Sequence, residues 1–394
     1  MYTNNFRRAM LGDTALLSLD FTAGTVPTAV TFTRADSTAR ATYIDASGYV
    51  KTVASAGAAR FDYTGGVAKG LLIEASSTNY LKNSAALTGT GWATGGTATV
   101  TTNYGIAPNG LTSATRLQMF YSGSPGRVYQ DSGFTTKPYT NSVWIKSNTG
   151  SNQTLNIWNT NGLGTALITV TPTWQRFENV NTTGTSLAGF FYLENPSTNP
   201  AVVVDVLVWG AQLEAGSNAT SFIPTTTASL TRLADDAVIR STAWTSLYAQ
   251  PGAIVVEFYR GAYGAGDRSI MSTDTTATRH WHLKQANASA TAQIAFSTGS
   301  PVTQTGLTAG LNKVAIAWNA PTPTASFDLC VNGATPTFGG SNVGTTLSTW
   351  LTLGSQSTTG VSGTGVWDGY LNNSIKSVKY YSALTYAEMQ AKTT

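Results

Sequence analysis

The sequence has a single cysteine, two histidines and few charges among its 394 residues. With Cys330 alone no intrachain disulfide can form, and its place in the run FDLCVNG marks a small buried hydrophobe rather than a reactive thiol. Charged residues make up 11%, well under the roughly 25% usual for globular domains, which argues against disorder driven by self-repulsion. The formal charge of +4 is dispersed, with Arg7 and Arg8 its nearest approach to a cluster. Nucleic-acid binding needs a concentrated stripe of Lys and Arg, so no nucleic-acid partner is expected. No run approaches the roughly 20 apolar residues of a spanning helix, and the start of the chain, with Arg7, Arg8 and Asp13, lacks the apolar centre of a secretion signal. No membrane partner is expected. No heptad repeat is present either.

What is abundant is Gly (39 residues), Tyr (17), Trp (10), Thr and Ser. Thr, Val, Tyr and Trp suit pleated, half-buried surfaces, and short alternating runs separated by turn residues predict an all-β chain of sandwiches. Three consecutive regions are expected. Residues 1–80 hold little core-forming material and should need a neighbour, since small modules bury too little surface to stand alone. Residues 81–235 contain strands at SVWIK, TLNIWN, TWQRFENV, AGFFYLE and VVVDVLVWGAQLE, with Leu155 and Ile157 on one face and Asn156 and Trp158 on the other. A linker is expected at Phe222 to Arg232. Residues 236–394 hold a second sandwich, with inward rows Ile254, Val256, Phe258; Val314, Ile316, Trp318; and Phe327, Leu329, Val331. Asn332-Gly333 predicts a turn with both residues at positive φ, and Thr385 with Glu388 predicts a capping box on a short C-terminal helix.

Catalytic patterns are sparse. A glycosidase needs two acids about 5–9.5 Å apart, but Asp45, Asp62, Asp131, Asp274 and Asp368 are isolated, and Asp235 and Asp236 are consecutive and so point to opposite faces of an extended strand. Neither a G-x-S-x-G elbow nor a phosphate-binding Gly loop is present, and no enzymatic activity is expected. His280 and His282 flank Trp281 and would share one strand face about 7 Å apart, without a third ligand to complete a zinc site. The bland alternative is a core Trp between two surface histidines. Recognition by surface aromatics remains: sugar rings stack on Trp or Tyr while amides and charged groups bond the hydroxyls. The candidates are Trp158 with Asn156 and Asn159, Tyr263 and Arg268 in a Gly-rich loop, and His280, Trp281 and His282.

Three phrases are more particular than β patterning requires: FTRADSTARATYIDASGYVKT (Phe32 to Thr52), AARFDYTGGVAKGLLIEASSTNYLKNS (Ala58 to Ser84) and WGAQLEAGSNATSFIPT (Trp209 to Thr225). In combination they resemble connectors in fibre, spike and other virion-surface proteins of tailed bacteriophages. Residues 81–235 are similar to jelly-roll carbohydrate-binding modules, and the series AWN, FDLCVNG, LTLGS, WDGYLNNSIKSVKYYSALTYAEMQ resembles concanavalin-like, laminin-G-type jelly rolls. The resemblance implies a virion-attachment region followed by two antiparallel jelly rolls, assembled in the bacterial host cytoplasm into a virion. Its implied partners are capsid, portal or tail proteins, further copies of the chain in a trimer, and host surface polysaccharide. No cofactor is implied beyond a structural calcium, for which Asp267 and Asp274 are the loop carboxylates on offer. The alternatives are a decoration or tail-adaptor protein that binds no sugar and, less favoured, a polysaccharide depolymerase.

Overall fold

The computed structural model describes residues 14–133, 138–160, 165–181, 189–240, 244, 247–261, 267–273, 281–286, 289–296, 300–318, 324–343, 350–355 and 370–394. Within them the chain is almost entirely antiparallel β, with a short helix at Tyr386–Thr393 near its end. It divides into two compact units, each assembled from separate pieces of sequence. The first contains residues 1–34, 59–75 and 235–394, and the second residues 35–58 and 76–234.

The second unit is a sandwich of two five-stranded sheets. One sheet runs in the order Gln175–Asn181, Tyr139–Ser147, Val204–Ala215, Thr112–Phe120, Thr97–Ile106; the other in the order Thr165–Val170, Gln153–Thr160, Gly189–Glu194, Arg127–Asp131, Trp92–Gly95. Alternating residues meet between them: Val143 and Ile145 from one sheet, Leu155, Ile157, Phe191 and Leu193 from the other, each no more than 1% exposed. Burying each such side chain contributes about 1.5–3 kcal/mol. The opposite face of the first sheet carries Trp144, Leu207 and Trp209, covered by Phe222, Val50 and Ile44.

The first unit pairs an eight-stranded sheet with a seven-stranded one. Its larger sheet is centred on Gly252–Arg260 between Gly310–Trp318 and Asn373–Tyr381, and Asn373–Tyr381 also receives the early strands Leu17–Asp20 and Val67–Ile73. All nine residues of the three expected inward rows lie in one apolar cluster with Leu19, Phe21, Leu71 and Ile73. The turn and cap also take their expected forms: Asn332 and Gly333 have φ of 47° and 74°, and both arms of the Thr385–Glu388 capping box are made.

This partition differs from three consecutive regions. The described strands of residues 14–80 are shared out: Leu17–Asp20, Thr31–Thr33, Phe61–Thr64 and Val67–Ile73 join the two sheets of the first unit, while in the second unit Thr42–Ile44 pairs with Val50–Thr52 and Ser77–Asn79 with Leu230–Arg232, because isolated strands satisfy their backbone groups only by pairing. The expected linker differs too. Leu230–Arg232 pairs with Ser77–Asn79, Phe222 is buried against Trp209 and Trp144, and the hydroxyl of Thr225 donates to the carbonyl of Leu81 at 2.7 Å. Thr225 thus satisfies a backbone group inside the second unit, while Thr226, Thr227, Ala228 and Ser229 are exposed.

The three phrases explain themselves here. In the first unit Arg60 Nη1 lies 2.6 Å from Glu74 Oε2, Arg60 Nη2 bonds Asp235, and Arg34 Nη1 donates to Asp235 Oδ1 at 2.9 Å. The Glu74 amide donates to Asp235 Oδ2 at 2.9 Å. All four side chains are buried, and each lies within two residues of a point where the chain passes from one unit to the other. In the second unit Asn79 Nδ2 donates to the carbonyls of Ala211 and Ile223, while its Oδ1 accepts from the amides of Leu81 and Leu213. Glu214, fully buried, accepts from Ser77 Oγ at 2.6 Å, Gln212 Nε2 at 2.6 Å, the Thr220 amide at 3.0 Å and the Thr220 hydroxyl. Gly70, in KGLLIE, stands at a register shift with φ +105°, and a Cβ there would come 2.2 Å from the carbonyl oxygen of Ile375. Only glycine fits.

Candidate functional site

The outer face of the second unit's second sheet collects the side chains that alternation turns away from its core. Since Val128, Leu155, Ile157, Phe191 and Leu193 point inward, Arg127, Tyr129, Asn156, Trp158, Phe190, Tyr192 and Glu194 point outward. Strand register then sets them in two rows. Trp158 is opposite Tyr192, which is opposite Tyr129; Asn156 is opposite Glu194, which is opposite Arg127. An aromatic row therefore runs beside a polar one across three strands.

The geometry of the face is set by ring packing. Tyr129 and Tyr192 stack with centroids 4.9 Å apart and planes 11° from parallel. Phe190 tilts against Tyr192 at 5.6 Å, and the Arg127 guanidinium lies 5.9 Å from the Tyr129 centroid. Arg127 Nη1 is 3.8 Å from Glu194 Oε2, an ion pair too long for a direct hydrogen bond. Burial pushes the Tyr192 hydroxyl above the ordinary phenol range against the opposing pull of Arg127, so it stays protonated and can both donate and accept. The Trp158 Nε1–H is shielded from solvent and has no acceptor among the described residues, and an unmet buried donor is costly.

A bulge and a cross-sheet plug hold Trp158 in place. The register between Gln153–Thr160 and Gly189–Glu194 shifts between Trp158 and Thr160. There Asn141 from the facing sheet, fully buried, inserts its amide and donates at 2.8 Å to the carbonyls of both Trp158 and Phe190. Asn179 Nδ2 donates to the Ile157 carbonyl at 3.1 Å. The strand that carries Trp158 is thus pinned from behind by two side chains of the other sheet.

Of the residues singled out from sequence, Asn156 and Trp158 lie together on this face. Asn159 is in the same strand, with its side chain outside the described residues, and Tyr263 and His280 also lie outside them. Trp281, His282 and Arg268 are in the first unit and are 0%, 4% and 5% exposed. Trp281 belongs to the apolar core, and His282 is not the surface histidine expected: its Nε2 is 2.9 Å from Ser269 Oγ. Both strands carrying these residues are buried on both faces, which withdraws all three from a surface ligand. The candidate calcium ligand Asp267 is 2.5 Å from Lys284 Nζ, and Asp274 lies outside the described residues. Among the described residues no three His, Cys, Asp or Glu side chains are grouped to hold a metal, and no helix is long and apolar enough to cross a membrane. Sequence reasoning missed Tyr129, Phe190, Tyr192, Arg127 and Glu194. Alternation in AGFFYLE and RVYQD signals their common face, but not which strands lie beside Trp158.

No family model matches the chain, and no curated protein matches it. Its structural neighbours include carbohydrate-binding modules and laminin G domains. The CBM40 of the Ruminococcus gnavus IT-sialidase is 18% identical, covering 39% of this chain and 87% of that one with a TM-score of 0.30. Domains LG4-5 of the mouse laminin alpha1 chain are 8% identical, covering 78% and 89% with a TM-score of 0.27. The CBM22-1–CBM22-2 tandem of Paenibacillus barcinonensis Xyn10C is 11% identical, covering 75% and 93% with a TM-score of 0.26. Likenesses this distant carry no argument about a ligand, which has to come from the face itself.

Proposed function

We propose that the chain is a non-catalytic glycan-binding protein that presents the Trp158–Tyr192–Tyr129 face to polysaccharide on a host envelope, and that it does so from the surface of a tailed-bacteriophage virion. The observation that carries the glycan reading is the pair of rows in register: apolar rings that suit the C–H faces of sugars beside an amide, a carboxylate and a guanidinium that suit their hydroxyls. The virion reading draws on the three phrases that resemble phage fibre and spike connectors. In a particle several copies, a trimer by the same resemblance, would raise the effective concentration of each weak contact.

A purely structural role, as decoration or tail adaptor, is the second reading, and one observation favours it. Residues that carry the resemblance, Arg60, Glu74, Asn79 and Glu214, are buried and engaged with backbone or with one another, so these four describe architecture and not a ligand site. Host-polysaccharide binding by the full chain, compared with Trp158→Ala and Tyr192→Ala, separates the two. Weakened binding in both variants, with no shortening of the polysaccharide, supports adhesion. Failure of the wild-type chain to bind any host-surface glycan would leave the structural role.

A further inference from the structure

On the opposite side of the same unit a cleft of about 310 Å³ opens between Tyr49, Pro108, Trp144, Lys146 and Trp174. The size is at the lower end of small-ligand pockets, enough for a ring and not for an extended chain. Trp144 and Lys146 reach it because they alternate with the core residues Val143 and Ile145 on one strand. Trp174 is fixed by its indole N–H, which donates to the Ile106 carbonyl at 3.1 Å. Tyr49 stands at the tip of the hairpin formed by Thr42–Ile44 and Val50–Thr52, 41% exposed, its ring packed on Gly110.

The charge of the cleft is one-sided. Lys146 Nζ lies 5.4 Å from the Trp174 centroid and Lys51 Nζ 5.0 Å from that of Tyr49, and neither forms an ion pair among the described residues. Nearby cations are otherwise engaged: Arg116 is bidentate to Asp205, and Arg176 donates to Ser142 Oγ and the Thr220 carbonyl. The carboxylate of the same hairpin, Asp45, accepts the amides of Ser47 and Tyr49. Among the described residues no carboxylate lines the cleft.

We infer that this cleft is a second binding site, for a sugar ring that carries a carboxylate, such as a uronic acid, with the ring's C–H face on Trp174 or Tyr49 and its carboxylate on the Lys146 ammonium. The pairing of an aromatic wall with a cation that has no carboxylate partner selects this class over neutral sugars. It does not rest on the sheet face described above.

Calorimetric titration of the full chain with a short oligogalacturonate, with its methyl ester and with a heparin-derived oligosaccharide tests the inference. The free acid should bind, the ester should bind about tenfold more weakly, and Lys146→Gln should weaken the acid by about the same factor, the loss of one charge-assisted hydrogen bond. Lys313→Gln, in the first unit, controls for overall charge, and added salt should weaken binding of the acid. Trp174→Ala should remove it; Lys146→Gln, at the surface, keeps the test sound if that variant misfolds. Equal binding of acid and ester, indifference to Lys146→Gln, preference for the sulfated chain, or no binding of the acid would each overturn the inference. Failure of the sheet face to bind glycan would leave this titration unchanged.

Discussion

Arg60 is the position at which the buried ionic cluster can be tested most directly. Its guanidinium, itself buried, holds Glu74 and Asp235, which are 3% and 0% exposed. Burial opposes its charge, yet the Coulombic pull of Asp235 and Glu74 and their hydrogen bonds leave its pKa above the ordinary arginine value. Arg60→Met keeps much of the stem volume and removes the charge. Asp235 retains Arg34 at 2.9 Å, whereas Glu74 loses the partner at 2.6 Å and stays in the interior. Removing one partner of a buried ion pair costs about 3–5 kcal/mol. For a unit of this size about 2–4 °C of midpoint accompanies each kcal/mol, so calorimetry should show the first unit's transition falling by about 6–20 °C. Arg60→Met combined with Glu74→Met should recover part of that loss, because both halves of the buried ion pair leave together. An unchanged midpoint in the single variant, or a double variant worse than the single, would refute the view that the cluster holds the chain crossings of this unit together.

Three further outcomes follow. Burial raises the pKa of Glu214 above its ordinary value of 4.5 although Ser77, Thr220 and Gln212 oppose the shift; the folded state then binds the proton more tightly than the unfolded one, so the second unit should lose stability as pH rises from the ordinary carboxylate range, a slope that melting curves of Glu214→Gln should show flattened. Gly70→Ala places a methyl group against the Ile375 carbonyl at positive φ and should lower unfolding free energy by about 3 kcal/mol or more, read by urea titration. On the sheet face, Trp158→Ala and Tyr192→Ala should each weaken polysaccharide binding by about tenfold through loss of a ring contact, with melting of the second unit measured alongside to separate binding from folding.

Much of the fold was legible because alternation acts locally. Ile254, Val256 and Phe258 are read from one strand and need no neighbour to be named inward. The same holds for Asn332-Gly333 and the Thr385–Glu388 cap, whose chemistry closes within four residues. Pairing across the chain was not legible. Nothing local says that Val67–Ile73 lies beside Asn373–Tyr381, or Thr31–Thr33 beside Asp236–Arg240, and those pairings make the units discontinuous. Burial of the second face is equally non-local: Trp158 and Trp281 both stand in strands with polar neighbours, but only the strand of Trp281 is covered on both sides.

That distinction bears on where specificity resides. Glu214 of the third phrase meets Ser77 of the second, Asn79 of the second meets Ala211 and Ile223 of the third, and Thr42 of the first donates to the Phe222 carbonyl. Buried polar groups must be satisfied, and these side chains satisfy backbone that would otherwise be stranded where distant segments join. Their residue types are set by the joining geometry, whatever the protein binds. Trp158, Tyr192, Arg127, Trp174 and Lys146 lie outside all three phrases, and none of them plugs such a junction. Exchanging these side chains should therefore change the ligand while the sandwich keeps its melting temperature, whereas exchanging Asn79 or Glu214 should lower that temperature with no change in ligand preference.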